Sequence, residues 1–415
     1  MNRLARLCLC AAAALPFAAQ QARAQDAAAP TPWITDSLAS SALHEQRTLL
    51  VALPAGYGAS TDSFPVLVLL DAEDRPQLEA AIANARFLAS RFEIPGLVIV
   101  GIPNGADRTH DLTPPAEGSM AAQFPTAGGA DAFERFIAGE ALPFIRGKYR
   151  TRHLTVLAGH SFGGLFGLYV AATLPNPYAG IIAMSPSLQW NDSTVAHEYA
   201  DAIARLGTGL RLFVTSGALE SPIDVTARRF VARLDSLRPR GISYGYRGYA
   251  DDTHMLTPQP SLVAGLRFVF EPVSIARLPL SRFDVSWDSA RFVSAVSASQ
   301  RAYARGARSL GLPETIPEPY MNRFGYAMLG EMRMPSLAAW LFGQNVTAYP
   351  GSANAHDSYG DGLAAAGDTA AAIAQYERAV ELWRARGDTD GAAMSGAKLK
   401  RLRKAPHDSG GRRRE

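Results

Sequence analysis

The sequence predicts an α/β protein, a mostly parallel sheet flanked by helices, followed by an all-α region. Three observations carry this. Between residues 44 and 270, short continuous apolar runs alternate with helical patterns, as parallel strands buried on both faces require. One junction between such a run and a helix holds a serine between two glycines, at residues 159–163. After Pro272 the strand-like runs cease and alanine-rich helical sequence takes over.

Taken in order, the chain opens with Arg3 and Arg6, an apolar stretch from Leu7 to Ala19, and Ala22-Arg23-Ala24 before Gln25. This is the pattern of a secretory signal peptide over residues 1–24, so the protein is expected to be exported, periplasmic or secreted. The apolar stretch is too short to span a bilayer, and no later segment has the ~18 consecutive apolar residues that spanning needs. Both cysteines, Cys8 and Cys10, fall in this leader. The mature chain is therefore expected to have no disulfide, no thiolate metal site and no cysteine nucleophile.

The α/β domain is expected over residues 25–272. Its strands are read at 44–54 (HEQRTLLVALP), 64–71 (FPVLVLLD), 96–103 (GLVIVGIP), 153–159 (HLTVLAG), 179–186 (AGIIAMSP), 210–217 (LRLFVTSG) and 241–250 (GISYGYRGYA). Most are short apolar or β-branched runs bounded by Gly, Pro or Asp, while 241–250 is rich in Tyr and Gly. Between them lie helical patterns such as QLEAAIANARFLASRF, DAFERFIAGEALPFIRGKY and VTARRFVARLDSL.

A helical linker is expected over 273–310, on the pattern SARFVSAVSASQRAYARGARSL. Over 311–404 a 34-residue period pairs Leu329 with Leu363, Ala338 with Ala372 and Phe342 with Tyr376. The spacing resembles the tetratricopeptide repeat, with His356 in place of the usual tryptophan and Arg384 in place of the second closing proline. Two copies are too few for a solenoid, so they are expected to cap or dock on the α/β domain, with a protein partner as the alternative. A basic disordered tail is expected over 405–415.

The formal net charge of +3 is a property of the ends. Arg3, Arg6 and Arg23 lie in the leader, and eight basic residues from Lys398 onward face only Asp408 and Glu415. The body between is net acidic, which gives no case for a nucleic-acid groove, and no nucleic-acid partner is expected.

Gly159-His160-Ser161-Phe162-Gly163 sits between a strand and a helix, the context in which such a pentapeptide lifts a serine clear of the sheet as a nucleophile. A serine needs a histidine to take its proton and an acid to orient that histidine, here in the chain order serine, acid, histidine. Among the downstream histidines, His356 and His407 fall outside the domain and His197 lies in a helical stretch. His254 follows the last strand directly and is the expected base. Glu220, three residues past Gly217, is the expected acid, with Asp224 as the alternative. The oxyanion is expected to be met by the backbone N–H of Phe162 and by that of Ala72 or Glu73. Arg108, His110 and Trp190 are expected to line the substrate cleft. No metal and no cofactor are expected.

These segments resemble the esterase family of α/β-hydrolases that includes esterase D-like, enterochelin (siderophore) esterase-like and mycolyltransferase-like proteins. The resemblance runs over about residues 40–270 and rests on PVLVLLD, DRTHDLTP, GHSFGG, SPSLQW and the His254 segment. Against the siderophore esterase-like pattern, His110 replaces an arginine and Gln189 a tryptophan. The resemblance implies the α/β-hydrolase fold and cofactor-free hydrolysis of a small-molecule ester, siderophore-type or aryl. Two other functions compete: an acyltransferase using the same serine, and a binding protein whose repeats carry the function over a vestigial site.

Overall fold

The computed structural model describes residues 33–404 except 60, 176 and 208, so the expected signal peptide and the basic tail lie outside the described residues. The chain divides into two compact units between Glu271 and Pro272.

The first unit is built on one eight-stranded sheet. In chain order its strands are β1 (Ile34–Ser40), β2 (Glu45–Ala52), β3 (Phe64–Leu70), β4 (Val98–Ile102), β5 (Thr151–His160), β6 (Gly180–Met184), β7 (Arg211–Gly217) and β8 (Ser243–Tyr249). They lie in the order β1-β2-β4-β3-β5-β6-β7-β8. Only β2 runs against its neighbours; the other pairings are parallel. The central strands are the apolar runs of the sequence, and every residue of β4 and β6 is buried. β1 escapes the sequence reading because it is a polar edge strand with mixed exposure. Its one buried carboxylate, Asp36, accepts from Tyr149 Oη at 2.8 Å.

Helices cover both faces. They are α1 (Arg75–Ser90), the short α2 (Arg108–Leu112) and α3 (Gly118–Gln123), α4 (Ala130–Phe136), α5 (Leu142–Lys148), α6 (Phe162–Thr173), α7 (Thr194–Ala204), α8 (Ile223–Leu237) and α9 (Pro258–Val269). Asp74 caps α1 by accepting from Gln77 N at 3.1 Å, and Pro76 suits its first turn. A π turn at Ile137–Ala141 joins α4 to α5 just ahead of Pro143, which has no N–H and whose ring would crowd an α-helical carbonyl four residues back. On β6, Ile181 touches α6 at Gly167 and Ile182 touches α9 at Gly265. Successive strand residues point to opposite faces, so α6 and α9 sandwich the sheet.

The second unit holds α10 (Ser289–Ser309), α11 (Glu318–Gly330), α12 (Pro335–Ala348), α13 (Ala353–Ala365), α14 (Thr369–Ala385) and α15 (Thr389–Lys404). Residues 273–310 are not the separate linker expected from the sequence. The apolar stripe of α10 must be buried somewhere, and Phe292 packs against Phe324 and Trp340 of this unit. In two of its helix pairs an aromatic ring of the second helix lies on a glycine of the first: Phe342 on Gly325, and Tyr376 on Gly360. A Cβ at either glycine would collide with the ring, so the helices meet this closely only without one. Asp361 accepts from Tyr326 Oη at 2.8 Å, Tyr376 Oη at 2.7 Å and Lys398 Nζ at 2.7 Å, which ties α11, α14 and α15 to α13. No helix among the described residues is long and apolar enough to cross a membrane.

Candidate active site

The parallel strands end along one edge, and the candidate residues are carried on the turns that leave them. β5 runs into α6 through Ser161, whose backbone takes φ 59° and ψ −115°. This is a strained conformation for a residue with a Cβ, worth on the order of 1–3 kcal/mol, and the surroundings hold it. Ser161 N–H donates to Met184 O at 3.0 Å, and Ser161 O accepts from Leu165 N–H at 3.0 Å and Ser187 N–H at 3.2 Å. Gly159 makes the corner sterically possible, since a Cβ there would run into the carbonyl of Gly163.

The turn after β7 carries Glu220, buried to 6% exposure. Its Oε2 lies 2.6 Å from His254 Nδ1. Its Oε1 accepts from Ser185 Oγ at 2.6 Å and from Gly217 N–H, so one oxygen is anchored and the other is presented to the ring. Ser185 Oγ in turn lies 2.8 Å from Thr257 Oγ1. The acid and histidine loops are laced together by Ala218 N–H to Tyr249 O at 2.8 Å and Leu219 N–H to Asp252 O at 3.3 Å. Burial pushes the Glu220 carboxyl up, but the bonds from His254, Ser185 and Gly217 outweigh it and hold the group below the usual glutamate range. Asp224, the alternative acid, is occupied elsewhere: it accepts from Ser216 Oγ at 2.6 Å and pairs with Arg228 Nε at 2.9 Å.

His254 lies over His160, with ring centroids 4.3 Å apart. Burial first, and the neighbouring His254 second, push the His160 imidazole down to about 4, so His160 is neutral at physiological pH and does not compete for a proton. Ser161 Oγ is 3.2 Å from Ser187 Oγ. Among the described residues no hydrogen bond joins Ser161 to His254; in unliganded sites such bonds commonly form only with substrate bound.

Phe162 N–H opens α6 and, with Glu73 N–H, carries no protein acceptor among the described residues. Ala72 is corrected as an oxyanion donor, because its N–H is spent on Ile102 O at 3.2 Å. Of the expected cleft residues, Trp190 is corrected. Trp190 is fully buried and packs on Phe162 and Phe124, so it buttresses the residue beside the serine and offers no face to a ligand. His110 hydrogen-bonds Thr126 O at 2.8 Å and fills the space beside Gly129, holding a loop. Arg108 grips Asp71 through Nε and Nη2, at 2.6 and 3.0 Å, and reaches His160 O at 3.3 Å, clamping the end of β3 to the serine turn.

Asp71, Ser185, Ser187 and Thr257 escape the sequence argument, although PVLVLLD and SPSLQW contain three of them. A serine in a loop carries no sign of which distant carboxylate it meets. Removal of the Ser185 hydroxyl is expected to show in the pH dependence of stability. A carboxyl whose folded pKa lies below its unfolded value adds stability above the usual range and loses it as pH falls through the folded pKa. Ser185→Ala is therefore expected to lower Tm at pH 7 more than at pH 3. The loss at neutral pH should approach the roughly 1.5–3 kcal/mol of a hydrogen bond to a buried charge. Melting curves across that range check this.

A strained serine at a strand-to-helix turn and a carboxylate–histidine pair at the ends of later parallel strands, on a sheet with β2 reversed, define an α/β hydrolase. The chain belongs to the Esterase family, described as "Putative esterase", which matches residues 40–254. A ferri-bacillibactin esterase of Bacillus subtilis is 31% identical over 242 residues, covering 53% of this chain and 81% of the relative. A siderophore enterobactin esterase of Emericella nidulans is 41% identical over 101 residues, covering 22% of this chain and 33% of the relative. The solved structure of an IroE-like serine hydrolase from Shewanella oneidensis matches with TM-score 0.62 at 25% identity, covering 75% of this chain and 98% of that one. The protein is thus a hydrolase acting on esters.

Proposed function

We propose that the chain is an exported serine esterase that cleaves small-molecule carboxylic esters through an acyl-enzyme on Ser161. The observation that carries this is the 2.6 Å Glu220–His254 pair set beside a serine in the strained turn. Ser161 Oγ attacks the ester carbonyl carbon while His254 Nε2 takes its proton. Phe162 N–H and Glu73 N–H receive the charge that develops on the carbonyl oxygen. Collapse breaks the bond to the alcohol oxygen, which takes the proton from His254. Water then attacks the acyl-enzyme with His254 again as base, releasing the acid and free serine. Throughout, Glu220 stays ionised and stabilises the imidazolium. The relatives' names support siderophore-type and aryl esters as the substrates to try first, and the leader at residues 1–24 supports export.

A fluorophosphonate probe should add one phosphonyl group to Ser161, read by mass spectrometry of the labelled peptide, and an activated aryl ester should give a burst of one alcohol per site. Labelling at another residue, or turnover without a burst together with an unlabelled Ser161, would overturn the reading.

A further inference from the structure

The two loops that carry the acid and the histidine also carry three large apolar side chains in water. Leu219 is 63% exposed, Met255 71% and Leu256 60%. Leu219 precedes Glu220, Met255 and Leu256 follow His254, and the backbone bond from Leu219 N–H to Asp252 O sets the two loops side by side. Isolated exposed apolar residues are ordinary, but three on adjoining loops beside reacting groups form a patch.

On the two loops themselves the charge has one sign, with Arg247 of β8 acting on Tyr249 at the base of the histidine loop. Residues 217–224 and 250–257 contain no lysine or arginine, whereas they hold Glu220, Asp224, Asp251 and Asp252. Asp224 is neutralised by Arg228, and Arg108, across the serine turn, by Asp71. Glu220 is buried against His254, so the loops present the carboxylates of Asp251 and Asp252 beside an apolar rim.

On the esterase reading above, on which this inference rests, geometry tells which half of the substrate meets the rim. His254 Nε2 must hand its proton to the leaving oxygen, so the alcohol half lies on the side of His254. We infer that Leu219, Met255 and Leu256 select esters of neutral, apolar alcohols, and that the acidic mouth disfavours anionic ones. A fully buried methylene is worth about fourfold in affinity, and an open rim covers a ligand only in part. Four methylenes should therefore raise kcat/KM about tenfold.

The test uses the full chain and acetate esters of ethanol, butanol and hexanol, with the acetate ester of 6-hydroxyhexanoate as the anionic counterpart of hexyl acetate, followed by titration of released acid. These alcohols leave with similar pKa and share one acyl-enzyme, so differences report recognition. Expected are about a tenfold rise in kcat/KM from ethyl to hexyl, an anionic ester at least tenfold below hexyl, and a hexyl-to-ethyl ratio reduced about threefold or more in Leu219→Asn and in Met255→Gln. Melting temperatures within a few degrees of wild type show that these surface variants fold. A flat series, an anionic ester cleaved as well as hexyl acetate, or an unaltered ratio in both variants overturns the inference while leaving the esterase reading standing. Failure to cleave any ester, with Ser161 unlabelled by the fluorophosphonate, defeats the esterase reading instead.

Discussion

Replacing Ser161 or His254 by alanine is expected to lower kcat by about 10⁴–10⁶-fold, because either change removes a group that bonds to or moves a proton at the reacting atoms. Glu220→Gln should cost less than either, since an amide still reaches the ring but no longer stabilises its charge. Asp224→Asn should have a small effect, because Asp224 pairs with Arg228 and Ser216 and makes no bond to His254. The losses should be strongly non-additive: with Ser161 gone there is no proton for His254 to take, so the double variant should be about as slow as Ser161→Ala alone. Steady-state kinetics on one activated ester checks the series. An Asp224→Asn loss exceeding that of Glu220→Gln would reverse the assignment of the acid.

Gly159→Ala is expected to damage turnover as well, though less than removal of Ser161 or His254, while adding only one methyl group. The methyl would run into the Gly163 carbonyl, so the turn that lifts Ser161 has to open. Displacing a reacting atom by about 1 Å costs on the order of 10²-fold in rate, so kcat should fall by about that factor, with a lower Tm as well. Gly147 is the matched control. It lies in α5 with nothing within 4 Å of the space its Cβ would occupy, and Gly147→Ala should stabilise by roughly 0.4–1 kcal/mol with kcat unaltered. Two identical substitutions of opposite sign separate the steric demand of the serine turn from the general helix preference for alanine. Equal kcat in both variants would remove the argument that Gly159 shapes the site.

Much of this was legible in the chain because it is written in short-range terms. A strand such as β6, buried on both faces, must be apolar at every position, and a helix such as α8 must carry its stripe at helical spacing. Periodicity therefore locates both. A serine flanked by glycines between those two patterns marks the sharp turn, and the order of the later strand ends narrows the base to His254 and the acid to Glu220 or Asp224. β1 was not legible, since a polar edge strand owes its existence to the neighbour it pairs with. The role of α10 was misread for the same reason: its period announces an apolar face, but not what covers it.

What the sequence by itself determined is the element order, the α/β class and the chemical type of the residues at the strand ends. Only the tertiary structure decided their partners. Glu220 rather than Asp224 faces His254 because Arg228 and Ser216 already hold Asp224, and Ser185, far from Glu220 in the chain, anchors the oxygen that His254 does not use. Trp190 is drawn into the core beneath Phe162 and does not serve the cleft to which its residue type assigned it, while Arg108, a third exposed, pairs with Asp71 beside the serine turn. The Ala72 amide is consumed by β4, leaving Glu73. The physical reason is common to all of these. Each is a competition for a hydrogen bond, a charge or a place in the core among groups far apart in the chain. Its outcome depends on which of them the folded sheet brings within reach.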